Sequence, residues 1–336
     1  MTISSVLPSR LKAGVRRTVA GAYYHSGRFK ARLRGKVVIL MYHRVLTPKE
    51  LAAHYVQPGM YVLADVFARQ MQFLRENFHI LSLEDLIGRW QRGGGLDHDK
   101  RYCVVTFDDG WLDNYLHAYP ILRRLGIPAT IFLPTRFVGT RDWFWPERLA
   151  HLLADPSNSA ARPGTAAWSD HVERTIEQWK DRPSADIEAA LGEMSAGPGG
   201  RISAERVVVD WDEVAEMGRN GISFGSHSAT HAILTTASPT AYDAEINESL
   251  AVLRRRATNP IEVFCYPNGA YTEAVVQHVK AAGYVAALTT DTGWETTTRP
   301  DLFRLHRVGV HNDISRTTPL FALQLCALNR LTNTGG

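Results

Sequence analysis

From residue 37 onward, short apolar runs rich in β-branched and aromatic residues alternate with segments whose hydrophobic positions recur at helical spacing. Such alternation marks βα units built around a parallel sheet or barrel. Strands are predicted at about 37–42 (VVILMY), 103–107 (CVVTF), 129–133 (ATIFL), 222–225 (ISFG), 261–266 (IEVFCY), 284–288 (YVAAL) and 304–309 (RLHRVG). Their near-continuous hydrophobicity suits strands buried on both faces. Seven of them point to an α/β barrel one unit short of eight, with a doubly wound open sheet as the alternative. Phe67, Met71 and Leu74 fall on one face of a helix opened by Asp65, and Ile246, Leu250 and Leu253 on one face of another.

The pattern breaks between the third and fourth strands, over roughly residues 137–205. This stretch carries Trp143, Phe144 and Trp145 and then becomes rich in Ala, Pro, Gly and Ser, ending in GPGG at 197–200. It reads as a partly helical insertion, of the kind that forms lids or substrate walls on α/β scaffolds. Its aromatic cluster either stacks on a sugar or packs the insertion's own core.

Composition adds three constraints. The 336 residues, 45% hydrophobic and 21% charged, describe an ordinary globular chain. Cys103, Cys265 and Cys326 are odd in number and far apart, which predicts buried reduced thiols and a reducing compartment. No run of about 18 uninterrupted apolar residues is present for a spanning helix, and the first residues lack the compact apolar region of a secretory signal. The expected location is therefore the cytoplasm, or the inner face of a membrane.

Charge is unevenly distributed. Residues 1–36 hold nine Lys or Arg and no acid, so the net +4 of the chain belongs to this leader. Leu11, Val15, Val19 and Tyr23 recur every four residues, giving one apolar stripe beside cations, suited to an anionic membrane surface. A solvated tail and a helix packed on the barrel are the alternatives. No nucleic-acid-binding motif accompanies the basic cluster, so nucleic acid is not an expected partner. The predicted organisation is a leader at 1–36, a catalytic barrel at 37–316 and a C-terminal helix or tail at 317–336.

The chemistry lies at the ends of two strands. The second runs Val104-Val105-Thr106-Phe107 into Asp108-Asp109-Gly110, at the C-terminal edge where α/β barrels build active sites. Either acid alone would serve equally well as a helix cap. The fourth runs into Ser226-His227-Ser228-Ala229-Thr230-His231, whose histidines, four apart, can face one point if the segment turns helically. Together they make a two-histidine, one-carboxylate site for Zn2+ or another divalent metal. A non-haem Fe(II) oxygenase would use the same ligand set but leaves the second acid without a task.

T-F-D-D-G followed by H-S-A-T-H resembles the first two motifs of the polysaccharide deacetylase family, carbohydrate esterase family four. The resemblance spans about residues 37–310 and implies a distorted (β/α)7 barrel. It implies that Asp108 is the general base and that Asp109, His227 and His231 hold a divalent metal, Zn2+ first, with Co2+, Ni2+ or Fe2+ as alternatives. The implied substrate is an N-acetylated polysaccharide, oligosaccharide or lipid-linked sugar. In the family's third motif an Arg stands two residues before a Pro; here Phe264-Cys265-Tyr266-Pro267-Asn268-Gly269 has Cys265 in its place. Arg304 or Arg307 is the candidate replacement, and an inactive glycan-binding barrel is the reading if neither serves. Tyr-Pro-x-Gly, with the first strand Ile39-Leu40-Met41-Tyr42-His43-Arg44-Val45, resembles the branch that includes poly-N-acetylglucosamine deacetylases. By that resemblance His43 is the general acid, with His306 of Leu305-His306 as the alternative. Pro267, Tyr271, whose backbone amide would face the oxyanion, and Arg307 are the expected substrate contacts.

Overall fold

Seven parallel strands close into a barrel in the computed structural model, which describes residues 9–154, 163–196, 205–298 and 300–327. The strands are β1 (Lys36–Tyr42), β2 (Tyr102–Phe107), β3 (Ala129–Leu133), β4 (Ile222–Ser226), β5 (Pro260–Cys265), β6 (Ala286–Thr292) and β7 (Leu305–Gly309). Each pairs with its successor, and closure is made twice at β1, on β2 over Val37↔Tyr102 to Tyr42↔Phe107 and on β7 over only Leu40↔Val308 and Met41↔Gly309. The short β7 seam, and register shifts in the β4–β5 and β6–β7 pairs, are the distortion. The open-sheet alternative is excluded. Every residue of β2, β3 and β4 is buried, as expected of strands covered on both faces.

Two boundaries differ from expectation. β6 runs to Thr292, because its last three residues are polar and exposed and carry no apolar signal. Asp65 lies inside the first turn of the helix Ala64–Asn77, pairing with Arg69 at 2.8 Å, and does not cap it. Phe67, Met71 and Leu74 are buried as expected, as are Ile246, Leu250 and Leu253. Short strands at Arg44–Leu46, Tyr61–Leu63, His79–Ile80 and Glu295–Thr296 are too brief to show a period.

The leader forms helix α1 (Ser9–His25). The insertion contributes α2 (Trp145–Leu153), α3 (Ala166–Trp179) and α4 (Ser184–Ser195), and the chain's last described helix is α5 (Thr318–Leu325). The GPGG segment lies outside the described residues, as do the side chain of Leu11 and residues 328–336. The three insertion helices bury a separate cluster, including Leu149, Leu152, Trp168, Val172, Ile176 and Leu191. The insertion thus carries its own small core beside the barrel mouth. α1 packs on α5 through Ala20, Tyr23, Leu320 and Leu323, so the two ends of the described chain fold together. All three cysteines are free and buried, and among the described residues no helix is long and apolar enough to cross a membrane.

Candidate metal centre and its cleft

β2 delivers Asp108 and Asp109 to the barrel mouth and then turns sharply. Asp109 and Gly110 both adopt left-handed backbone, with φ of 71° and 62°. Gly110 is required there, since a Cβ would stand 2.6 Å from Leu133 Cδ2. The turn sends the two carboxylates to different partners, which relieves the repulsion between neighbours. Arg307 donates to Asp108 from both ends of its fork, Nη1 to Oδ1 at 2.7 Å and Nη2 to Oδ2 at 2.7 Å. Burial disfavours the charge on Asp108, but the Arg307 guanidinium overcomes this and holds its pKa below the usual carboxylate value.

Asp109 faces the other way. Its Oδ2 accepts from Trp111 Nε1 at 2.9 Å. Its Oδ1 is buried, 3.3 Å from His227 Nε2 and 3.2 Å from His231 Nε2, yet has no well-aligned hydrogen bond. Burial opposes ionisation of Asp109 too, but the two imidazoles keep its pKa well below normal. His227 Nδ1 lies 2.8 Å from the Cys265 carbonyl, so Nδ1 carries the proton and Nε2 is free to act as a ligand.

The histidines do not converge through a helical turn, as the spacing suggested. Ser228 and His231 each take positive φ, 63° and 61°, and fold the segment back on itself. Glu245 fixes the loop, its carboxylate accepting from the backbone of Ala229 and Thr230 and from Thr230 Oγ1. Phe144, from the insertion, packs edge-on against the His231 ring.

Asp109, His227 and His231 offer three ligand atoms within 4.8 Å of one another. A buried acceptor without a hydrogen bond, two aligned imidazole nitrogens and fixed outer partners fit a divalent cation. Asp108, His227 and Cys265 are equally close. They fit less well, because Arg307 occupies both Asp108 oxygens and burial holds the Cys265 thiol protonated, its pKa well above normal.

Arg307 is fully buried behind Asp108, outside the lining of the cleft where a substrate contact was expected. From β7 its side chain crosses the barrel interior to the end of β2, its Nη2 3.2 Å from Cys265 Sγ on β5. The absent third-motif Arg is thus answered by a guanidinium from another strand, with the smaller Cys265 beside it. Arg304 pairs at the surface with Asp301 and Glu273.

A cleft of about 750 Å3 opens over the centre, lined by His43, Asp108, Asp109, His227 and His231. His43 Nε2 stands 3.9 Å from Asp108 Oδ2. Burial lowers its pKa below the ordinary histidine value, against the pull of both aspartates. His306 is outside the cleft, its side chain 47% exposed and bonded to Glu295. Pro267 is buried, and Tyr271 stacks on Tyr266 and donates to Asp291. Neither lines the cleft; Asn268, between them, does.

Trp111, Glu245 and Glu147 escaped the sequence reading. Glu147, in the first turn of α2, lines the cleft beside Trp145. Burial pushes its pKa up to about 7. Of the three, only Trp111 had a signal, its place directly after D-D-G.

A family model described as "Polysaccharide deacetylase" matches residues 95–287. The chain is 24% identical over 284 residues to "Putative polysaccharide deacetylase YxkH" of Bacillus subtilis (strain 168), covering 83% of this chain and 73% of that one. Among solved structures, it resembles the Streptococcus pyogenes deacetylase PplD in complex with acetate, with a TM-score of 0.58 and 23% identity over 87% of this chain and 98% of that one. It also resembles IcaB from Ammonifex degensii, with a TM-score of 0.56 and 19% identity over 87% and 97%. Both structural likenesses are likenesses of fold.

Two outcomes follow from this geometry. Arg307→Met leaves Asp108 buried and unpaired, which should cost about 3–5 kcal/mol in chemical denaturation at neutral pH. Because the native Asp108 pKa is depressed, its pairing stabilises above the unfolded value of about 3.9 and is lost as pH falls through the lower folded value. The deficit of the variant should therefore shrink in acid; a deficit constant with pH would refute the pairing as its cause. For the ligands, calorimetry with Zn2+ should show Trp111→Phe binding about 10–100-fold more weakly, and Asp109→Asn more weakly still.

Proposed function

Because the chain belongs to the polysaccharide deacetylase family, we propose that it hydrolyses the N-acetyl group, or a similar acyl group, of an amino sugar in a polysaccharide, oligosaccharide or lipid-linked glycan. Asp109, His227 and His231 would hold a divalent cation, Zn2+ before the others. The observation that carries this reading is the pair of adjacent carboxylates with separate surroundings. One faces two imidazoles with a buried oxygen lacking a hydrogen bond, and the other is kept ionised by Arg307.

An amide resists water because its carbonyl is weakly electrophilic and its nitrogen departs poorly unless protonated. A bound dication supplies Lewis acidity that polarises a carbonyl and acidifies water. Asp108 accepts the proton of the attacking water; each of its oxygens bonds Arg307 through one lone pair and retains another. As the water oxygen bonds to the acyl carbon, the C–N bond weakens. His43, neutral because burial lowers its pKa, has Nε2 3.9 Å from Asp108 Oδ2, a gap that one water can bridge; through it the proton taken by Asp108 passes to Nε2 and on to the leaving nitrogen. The products are a carboxylic acid and an amine, which at neutral pH ionise to carboxylate and ammonium. Arg307 keeps the Asp108 carboxylate fixed in plane throughout.

The insertion provides the wall over this chemistry. Trp145 offers an aromatic face, and Glu147 a carboxyl group of raised pKa that can donate to or accept from a sugar hydroxyl.

Purified protein loaded with Zn2+ should release acetate from N-acetylglucosamine oligomers. Asp108→Asn and His43→Ala should each lower turnover about 10²–10⁴-fold while still binding Zn2+. Equal release by wild type and Asp108→Asn, or none from any N-acylated sugar, would sink the reading. Glu147→Ala should raise KM about tenfold with kcat little changed, as expected of a lost substrate hydrogen bond of about 1.5 kcal/mol. A fall confined to kcat would argue against substrate contact.

A further inference from the structure

The face of α1 turned away from α5 is exposed among the described residues and carries apolar side chains beside Thr18. Ala20 is fully buried against α5, and helical geometry puts Val15, Thr18 and Ala22 on the opposite side, with Val19 one turn on from Val15 at the flank. All four are exposed, and the two valines are half exposed, two of the three large hydrophobic residues in the described chain that are exposed. The sequence that carries this strip has charge of one sign. Residues 1–36 contain nine cations and no acid. Arg17, Arg28 and Lys30 are exposed and make no ion pair among the described residues, whereas Arg34 pairs with Asp99 and Arg32 lies over the Trp294 ring.

Elsewhere α1 is firmly held. Tyr23 donates to Cys326 Sγ at 3.6 Å, Arg32 Nε to the Cys326 carbonyl at 3.4 Å and Arg16 Nη2 to the Ile314 carbonyl at 3.5 Å. Ile314, Gln324 and Ala327, on the segments that α1 grips, also line the catalytic cleft. The exposed strip and the cleft wall are therefore parts of one packed unit.

We infer that α1 and the short helix after it (Arg28–Arg32), within residues 13–34, seat the protein on the surface of an anionic lipid bilayer. The valine strip would enter the boundary between headgroups and acyl chains, and the exposed cations of the same segment, long enough to reach around it, would meet lipid phosphates. The charge selects this occupant. A second copy would bring two surfaces of the same sign face to face, which is repulsive. This inference does not depend on the reaction catalysed at the barrel mouth.

The test is cosedimentation of the full chain with vesicles, of phosphatidylcholine alone or containing phosphatidylglycerol, at low and high salt. Binding to the anionic vesicles should be at least about tenfold tighter and weaken with salt. Val15→Glu with Val19→Glu should reduce it at least about tenfold, as should Arg17→Glu with Lys30→Glu. Neither pair should move the thermal midpoint, since these side chains are exposed. Equal binding to both vesicle types, or none, overturns the inference. So does a wild-type dimer that binds no vesicles and that the valine substitutions render monomeric, because the strip would then join two copies.

Discussion

The catalytic end of this barrel is organised around one buried charge pair, Arg307 with Asp108. A guanidinium in the interior is tolerable only when its donors are occupied. Arg307 Nε donates to the Thr289 carbonyl on β6, Nη1 reaches Thr106 Oγ1 on β2, and the fork closes on Asp108. Cys265 on β5 lies beside it. A single side chain on β7, which pairs with β1 at only two positions, thus ties that strand to the end of β2, where both acids stand. Without it, the Asp108 charge would be strongly disfavoured by burial, and its neighbour would lose the polar frame that separates the two carboxylates.

Next to this rigid end stands an element of a different kind. The insertion folds around its own apolar cluster, and its link to the centre is aromatic, Phe144 against Trp111, Phe137 and His231. The aromatic triplet therefore divides its tasks: Phe144 is buried, Trp143 donates to the Glu205 carbonyl, and Trp145 faces the cleft. His231 and the cleft wall are thus joined through one phenyl ring.

The strands were legible because burial on both faces leaves unbroken apolar runs, and the acid pair and paired histidines because their chemistry is concentrated within a few residues. What stayed hidden depends on the third dimension. Arg304 and Arg307 look alike in sequence; the first stands in the bend before β7 and pairs at the surface, while the second, inside the strand, crosses the barrel, a difference set by where the strand begins. Glu147 has no sequence signal, because its importance lies in which cavity it faces. The histidine spacing suggested a helical turn, but positive φ values are invisible where the residue is Ser or His. The polar end of β6 escaped for the opposite reason, being strand without hydrophobicity.

Those left-handed residues have a further meaning. Ser228 and His231, neither a glycine, hold a conformation that costs about 1–3 kcal/mol each, and the surrounding loop enforces it through Glu245. Asp109 shares the same backbone sense. The free energy that shapes the cage is thus supplied by folding, before any ion arrives. A cation entering it would meet ligands with little freedom left to lose, so the main cost of its capture would lie in shedding its own hydration shell, and its departure would leave the cage standing.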